Sequence, residues 1–140
     1  MRRCFLPLLL LIILFLPLQV FCGIREQILQ LSESKADTNR VILLSNLCYD
    51  YRYVSADSAR MFGEEALRLA NELKYNKGIA QAYNDLGILY IDKAEYRNAA
   101  GLLKESMKIR ESLNDLPGMA SLYNKLVNDA QFIVEGSHPR

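Results

Sequence analysis

A ten-residue segment of this chain returns after forty residues, and this repeat constrains the fold more than any other feature of the sequence. The segment GIAQAYNDLG at 78–87 reappears as GMASLYNKLV at 118–127, with Gly, Ala, Tyr, Asn and Leu in register. A period of this length is typical of stacked copies of one supersecondary unit, each too small to bury its own apolar face. Stacks of this kind mainly present an extended surface to a partner.

The N-terminal residues 1–22 form a separate segment. Residues 1–3 are a short basic start, and a nearly unbroken apolar run follows from 4 to 22. This pattern predicts a cleaved secretory signal. The alternative is a retained membrane anchor, because the run is just long enough to cross a hydrocarbon core of about 30 Å. In both cases the arginines stay on the cytoplasmic side, so we expect an exported chain, periplasmic or otherwise extracytoplasmic, or anchored to the inner membrane.

Charge and cysteine content narrow the classes of function. The sequence has 17 Lys and Arg against 16 Asp and Glu, and loss of 1–22 removes two arginines and no acid. A nearly neutral chain lacks the basic face that nucleic-acid binding requires. Cys48 is the one cysteine beyond residue 22, so we expect no disulfide framework and assign Cys48 to packing.

Hydrophobic spacing predicts an all-α fold of five helices after a leader at 23–36. Asp37 is suited to the N-cap of the first helix. The second helix is predicted over about 57–73, and the fifth from near Gly118. A loose tail is expected at 135–140. The predicted breaks between helices lie at 55–57, 75–78, 92–95 and 114–118.

Two units match along most of their length. Four positions of the first helix recur 39 residues later and two positions of the second helix recur 40 residues later, so one turn is a residue shorter. The pairs are Leu44 and Tyr83, Leu47 and Leu86, Cys48 and Gly87, Tyr51 and Tyr90, Ala59 and Ala99, and Ala66 and Ser106.

This pattern resembles the tetratricopeptide repeat (TPR), which has an aromatic residue, Leu-Gly and Tyr on its first helix and small residues on its second. The resemblance covers roughly 37–131. It implies antiparallel helix hairpins stacked as a short right-handed α-solenoid of about two and a half units within 37–134. The six pairs, together with Tyr123 and Leu126, are then repeat-packing residues. The implied units cover about 37–76, 77–116 and 117–134, the last being partial.

Residues offset from the packing positions are expected to line the concave face of such a stack and to bind a protein or peptide partner. Tyrosine and arginine can stack there, and asparagine can hydrogen-bond to an extended peptide or a helix. For Asn84 and Asn124, packing or turn bonding within the repeat is the simpler interpretation. The predicted partner-binding residues are Ser45, Tyr49, Arg52, Asn84, Ile88, Asn124 and Asn128.

The sequence contains no recognisable catalytic constellation. Its single histidine, His138, lies in the tail, and phosphate-loop and paired-cysteine motifs are missing. We therefore expect no enzymatic activity, no cofactor and no metal site. The leading hypothesis is a non-catalytic protein–protein interaction module.

A closer resemblance supplies a second hypothesis. The stretches SKADTNR at 34–40, EALRLA at 65–70 and KGIA at 77–80 are similar to exported repeats of Bacteroidetes-type bacteria. Those repeats form the input half of sensor kinases or transcription regulators, with more repeats, a transmembrane helix and an output domain following. On this hypothesis the chain is a truncated sensory input region of a two-component histidine kinase or regulator. A third hypothesis, a membrane-anchored scaffold, applies if 1–22 is retained.

The third unit departs from the repeat. Val127 and Ala130 stand where Gly and Tyr are expected, and only the first helix of the unit is present. Terminal repeats need a polar cap. We therefore expect self-association through the fifth helix, where Met119, Leu122 and Ile133 lack a covering neighbour.

Overall fold

The computed structural model describes residues 25–124 and 126. The chain divides into two compact units, Met1–Lys35 and Ala36–Arg140. In the first unit, helix α1 covers residues 25–33, and the Ser32 hydroxyl donates to the Leu29 carbonyl at 2.7 Å. The predicted signal at 1–22, Asn128 and the tail at 135–140 lie outside the described residues.

The second unit is built of consecutive helices. They are α2 (Thr38–Tyr51), α3 (Ala56–Glu72), α4 (Asn76–Asp92) and α5 (Tyr96–Ser112). A further helix, α6, starts at 116 and is described through 124; it corresponds to the fifth helix predicted from the sequence. The described residues contain no strand, which confirms the all-α prediction. Within the same residues, no helix has the length and apolar character needed to span a membrane.

Side-chain caps fix the start of three helices. Asp37 is the N-cap of α2, as predicted, and its carboxylate accepts from the amides of Asn39 and Arg40 at 2.9 and 3.1 Å. Ser55 caps α3 by accepting from the Ser58 amide at 3.3 Å. Asp115 precedes α6, and its carboxylate accepts from the Gly118 amide at 3.1 Å. These contacts satisfy amides that have no partner within the helix.

The same turn ends α3, α4 and α5. Lys74, Ala94 and Asn114 lie in the left-handed region, with φ of 53°, 59° and 54°. In each turn the next residue's amide donates to the carbonyl five residues back, which is the Schellman motif. The structural period is thus twenty residues, half of the sequence period. The three bonds are Tyr75 to Ala70 (2.8 Å), Glu95 to Tyr90 (2.8 Å) and Asp115 to Arg110 (2.9 Å).

The turn between α2 and α3 differs from these three. The Ser55 amide donates to the carbonyl of Tyr51, only four residues back, at 2.8 Å. Val54 precedes Ser55, and its β-branched side chain makes the left-handed conformation costly. The interval from Tyr51 to the N-cap Ser55 is four residues, whereas the interval from Tyr90 to the N-cap Glu95 is five, which accounts for the change in spacing from 39 to 40 between the matched positions.

Small residues allow close packing between the helices. α2 packs on α3, α3 on α4, α4 on α5, and α2 also on α4. A Cβ atom added at Gly63 of α3 would lie 2.6 Å from Leu86 Cδ2 of α4. Nine of the predicted packing residues are buried and four are half-buried. The buried residues are Leu44, Leu47, Cys48, Ala59, Ala66, Leu86, Gly87, Ala99 and Ser106, and the half-buried residues are Tyr51, Tyr83, Tyr90 and Leu126.

Tyr123 and Leu122 differ from their predicted environments. Tyr123 was predicted to pack in the core but is 55% exposed, whereas its repeat equivalent Tyr83 is half-buried. α5 packs on α4 and covers it, but among the described residues no helix follows α6. Leu122 was predicted to lack a covering neighbour, yet it is buried, so it does not contribute to an open apolar face.

Two predicted helix starts were placed too late. α4 begins at Asn76 and α6 at residue 116, so Gly78 and Gly118 lie within the first helical turns and not in the breaks. Neither glycine has a positive φ. Gly78 is instead at a close approach: a Cβ atom added there would overlap the Tyr75 ring and lie 2.9 Å from Val41 Cγ1, so a larger residue would force these side chains to shift.

Candidate functional site

The predicted partner-binding residues do not form one open surface. Ser45, Asn84 and Ile88 are only 4%, 3% and 6% exposed, which departs from the prediction that they line an accessible face. α4 contacts α2, α3 and α5, and this central position explains the burial of its residues. Tyr49 and Asn124 are exposed and Arg52 is half-buried.

An exposed stripe remains along α2. It consists of Ile42, Asn46, Tyr49 and the adjoining Tyr53, and we call it the α2 stripe. Its spacing of four, three and four residues places the four side chains on one helical face. Ile42, Tyr49 and Tyr53 are 48%, 41% and 76% exposed. Apolar and aromatic surface is therefore open to solvent here.

The repeat equivalents of this stripe are mostly covered. The residues 39 positions later are Gln81, Asp85, Ile88 and Asp92 of α4. Asp85 and Ile88 are buried and Gln81 is half-buried. The same repeat position is thus open in the first unit and closed in the second; among α2–α5, helix α2 packs against two helices and α4 against three.

Arg52 holds the two tyrosines of the stripe in place. Its guanidinium carbon lies 3.7 Å from the Tyr49 ring centroid and 4.5 Å from that of Tyr53. Arg52 Nη2 also donates to the Tyr53 hydroxyl at 2.9 Å. Its Nε lies 3.3 Å from Asp92 Oδ2, so the cluster is tied to the end of α4. Stacking of this kind contributes about 0.5–1 kcal/mol at exposed sites.

A buried polar network centred on Arg110 joins α4 and α5 to the start of α6. Arg110 Nη1 contacts Asp115 Oδ2 at 2.6 Å, and Nη2 donates to Gln81 Oε1 at 2.8 Å. Its Nε donates to Ser106 Oγ at 3.3 Å, and Ser106 in turn donates to the Ala80 carbonyl at 2.7 Å. All three guanidinium nitrogens are thereby paired, so the buried charge is compensated.

The network continues at both ends. Gln81 Nε2 and Asn84 Nδ2 donate to Asp85 Oδ1 at 2.8 and 3.1 Å. At the other end, the Gly118 amide and the Arg110 guanidinium hold the pKa of the Asp115 carboxyl below its usual value.

The sequence pattern did not point to Gln81, Arg110 or Asp115. The one available signal was Ser106, a hydroxyl at a position that holds Ala66 in the first unit.

Cys48 is inert in this setting. The side chain is buried between α2 and α3. A Cβ atom added at Gly63 of α3 would lie 2.9 Å from Cys48 Sγ. Burial, with a smaller contribution from the Asp85 charge, raises the pKa of the Cys48 thiol to about 12. The thiol therefore stays protonated near neutral pH, which fits a packing residue and not a nucleophile.

A pocket of about 340 Å³ adjoins both the α2 stripe and the Arg110 network. Its lining includes Ile42 and Asn46 of the stripe and Gln81, Arg110 and Asp115 of the network. Ser45 and Lys77 complete its polar wall.

Among the described residues, no three His, Cys, Asp or Glu side chains are grouped so that they could hold a metal ion. A scan against protein-family models, a search of curated proteins and a search of solved structures each found no match.

Proposed function

We propose that this chain is a non-catalytic protein–protein interaction module, built as a TPR-like α-solenoid of about two and a half units. Three observations support the repeat architecture: the sequential packing of α2 to α5, the contact between α2 and α4, and the Schellman turn that recurs every twenty residues. In a stack of this kind each unit contacts only its neighbours, so one face stays available along its length.

The observation that carries the binding role is the α2 stripe. Tyr49 and Tyr53 are exposed yet held by Arg52, and Ile42 adds aliphatic surface on the same face. Aromatic and arginine side chains dominate the energetics of protein interfaces. Side chains that are already ordered lose little entropy on binding. A partner segment docked along α2 would bury this stripe.

A paired-variant capture experiment tests the proposal. The full chain and a Tyr49→Ala/Tyr53→Ala variant are used as baits in an extracytoplasmic extract, and captured proteins are quantified by mass spectrometry. The matched control, Met61→Ala/Tyr96→Ala, removes two exposed side chains from α3 and α5. We expect a specific protein to be lost with the stripe variant and retained with the control. Equal capture by both variants would refute the assignment to α2.

We also propose that the module acts outside the cytoplasm. The basic start and the apolar run within 1–22 support this location. An intact-mass measurement on the exported protein distinguishes a cleaved signal from a retained anchor. Recovery of the chain in the cytoplasm alone would contradict the proposed location.

A further inference from the structure

Helices α3 and α5 expose opposite charges at equivalent positions of the repeat. Each helix has four exposed residues at spacings of four, three and four, which places them on one helical face. We call these two sets the α3 stripe and the α5 stripe. The α3 stripe is Asp57, Met61, Glu64 and Arg68, and the α5 stripe, 40 residues later, is Arg97, Gly101, Lys104 and Lys108.

The α3 stripe is acidic. α3 contains four acidic and two basic residues. Arg68 is compensated by ion pairs with Glu65 and Glu72. Asp57 has an exposed arginine one turn away at 3.4 Å, and a pair this exposed to solvent is weak. Glu64 forms no ion pair with another described residue. Negative charge is therefore available at Asp57 and Glu64.

The α5 stripe is basic. α5 contains four basic and two acidic residues, and both acids lie outside the stripe. One of the bases, Arg110, is buried and paired with Asp115. The other three are exposed, and none of them has an ion-pair partner within the described part of the chain. The stripe therefore carries three uncompensated positive charges, at Arg97, Lys104 and Lys108.

Both stripes lie on the same side of the second unit. α3 packs on α2 as α5 packs on α4, and α2 packs on α4. Equivalent small residues, Ala59 in α3 and Ala99 in α5, are buried in these contacts, so the two helices turn equivalent faces outward. The two stripes also differ in shape. Met61 is 66% exposed, whereas Gly101 leaves a gap where an added Cβ atom would meet nothing within 4 Å.

We propose that two copies of this chain pair through these stripes, with α3 of each copy packed on α5 of the other. A two-fold axis parallel to the helices places equivalent heights of the two helices opposite each other. The same contact then forms twice, as an isologous interface requires. Opposite charges face each other, and the exposed methionine enters the glycine gap. The facing residues are Asp57 and Arg97, Met61 and Gly101, and Glu64 and Lys104.

The last position of the stripes is also compatible with this pairing. Lys108 would face Arg68, a residue of like charge. Arg68 is held between Glu65 and Glu72, however, so this group of three has one net negative charge. Lys108 would therefore meet an acidic group, which is favourable.

The pairing should be weak and sensitive to salt. The two stripes together contribute far fewer residues than the roughly 20–30 per side of a standard interface. Exposed ion pairs each contribute little, and dissolved salt screens them. The α2 stripe takes no part in this contact. Self-pairing and the proposed partner binding therefore use separate surfaces.

A charge exchange tests the pairing. The α3 exchange is Asp57→Lys/Glu64→Lys, and the α5 exchange is Arg97→Glu/Lys104→Glu. Full chains are compared by sedimentation equilibrium in a density-matched non-ionic detergent. The original chain should form a dimer whose dissociation constant rises with added NaCl. Each variant alone should associate at least about tenfold more weakly, because four attractive pairs become repulsive.

The mixture of the two variants is the decisive sample. In a mixed pair both contacts again join opposite charges, so the association of the original chain should return. This recovery also shows that both variants are folded, and circular dichroism checks each one separately. Glu26→Lys/Glu33→Lys on α1 is the matched control, with the same spacing, exposure and change in net charge as the α3 exchange, and it should associate as the original chain does.

Three results would overturn the inference. They are an original chain that stays monomeric, exchange variants that associate as the original chain does, and a mixture of folded variants that stays monomeric. Tyr123→Ala, on the exposed side of α6, should leave the association unchanged. Loss of the dimer in Tyr123→Ala, with both exchange variants still paired, would assign self-association to α6 instead.

The test is independent of the capture experiment. The Tyr49→Ala/Tyr53→Ala variant should pair as the original chain does. The Met61→Ala/Tyr96→Ala variant should pair more weakly, because it removes the methionine that enters the gap, yet retain the captured protein. Failure of the pairing would therefore leave the role of the α2 stripe to be decided by capture.

Discussion

Replacing Gly63 by Ala would add one methyl group where α3 comes closest to its neighbours. The new Cβ atom would lie 2.6 Å from Leu86 Cδ2 and 2.9 Å from Cys48 Sγ. Carbon atoms in favourable contact are about 3.5–4.0 Å apart, so the overlap approaches about 1 Å. Leu86 and Cys48 are both buried, so neither side chain has free space into which it can move.

The expected magnitude combines two opposing effects. Ala is favoured over Gly in a helix by about 0.8–1 kcal/mol. Overpacking of a buried site costs about 1–3 kcal/mol. The free energy of unfolding should therefore fall by about 1 kcal/mol in Gly63→Ala. At Gly101 of α5, an added Cβ atom meets nothing within 4 Å, so Gly101→Ala should gain the full helical preference.

Urea and thermal denaturation of the full chain, followed by circular dichroism, measure both variants. In a domain of this size, about 1 kcal/mol corresponds to a shift in Tm of about 4–8 °C. Gly63→Ala should melt below the original chain and Gly101→Ala above it. If both variants are stabilised equally, the close approach of α3 to α2 and α4 is wrong and the packing must be revised.

Three further predictions follow from the turns, the polar network and the core. Ala94→Gly should raise the free energy of unfolding by about 1 kcal/mol, because Ala94 has φ of 59°, whereas the mid-helix control Ala100→Gly should lower it by a similar amount in the same urea assay. The Asp115 carboxyl has a lowered pKa in the folded state, so its ionised form stabilises the fold. This stabilisation is fully present above the unfolded pKa of about 3.9 and is lost as the pH falls through the pKa of the folded state. The stability difference between the original chain and Asp115→Asn, measured by urea midpoints from neutral to acid pH, should accordingly shrink in acid, and a constant difference would contradict the ion pair. Cys48 should resist a thiol reagent in the native state and react at the rate of unfolding, since burial raises its pKa to about 12; rapid native labelling would place it at the surface.

Local patterns accounted for most of the helical structure. The Asp37 cap, the small residues at 59, 66 and 99, and the short interval from Tyr51 to Ser55 all agree with the spacing of the sequence. Glycine was misleading as a boundary marker. The sequence pattern predicts turn residues at Gly78 and Gly118, but the left-handed residues of the Schellman turns are Lys74 and Asn114, and each next helix starts two residues later.

The site was less predictable than the fold. Tyr49 and Arg52 are predicted partner-binding residues, but the contacts of Arg52 with Tyr49, Tyr53 and Asp92 depend on two helices together. Arg110 carries no sequence signal for burial, because charged residues at the end of a helix usually face solvent. Its pairing with Asp115 and Gln81 becomes visible only when α4, α5 and the start of α6 are in place.

The forty-residue repeat by itself determined the helices, their order and the positions that must be small, because period, caps and side-chain volume act locally along the chain. The tertiary structure decided which copy of a repeated position is open. Asn46 and Tyr49 of α2 remain exposed, whereas their repeat equivalents, Asp85 and Ile88 of α4, are buried. Burial depends on how many helices surround each residue. A repeat pattern predicts the same burial at equivalent positions, so it does not distinguish the exposed copy from the buried one.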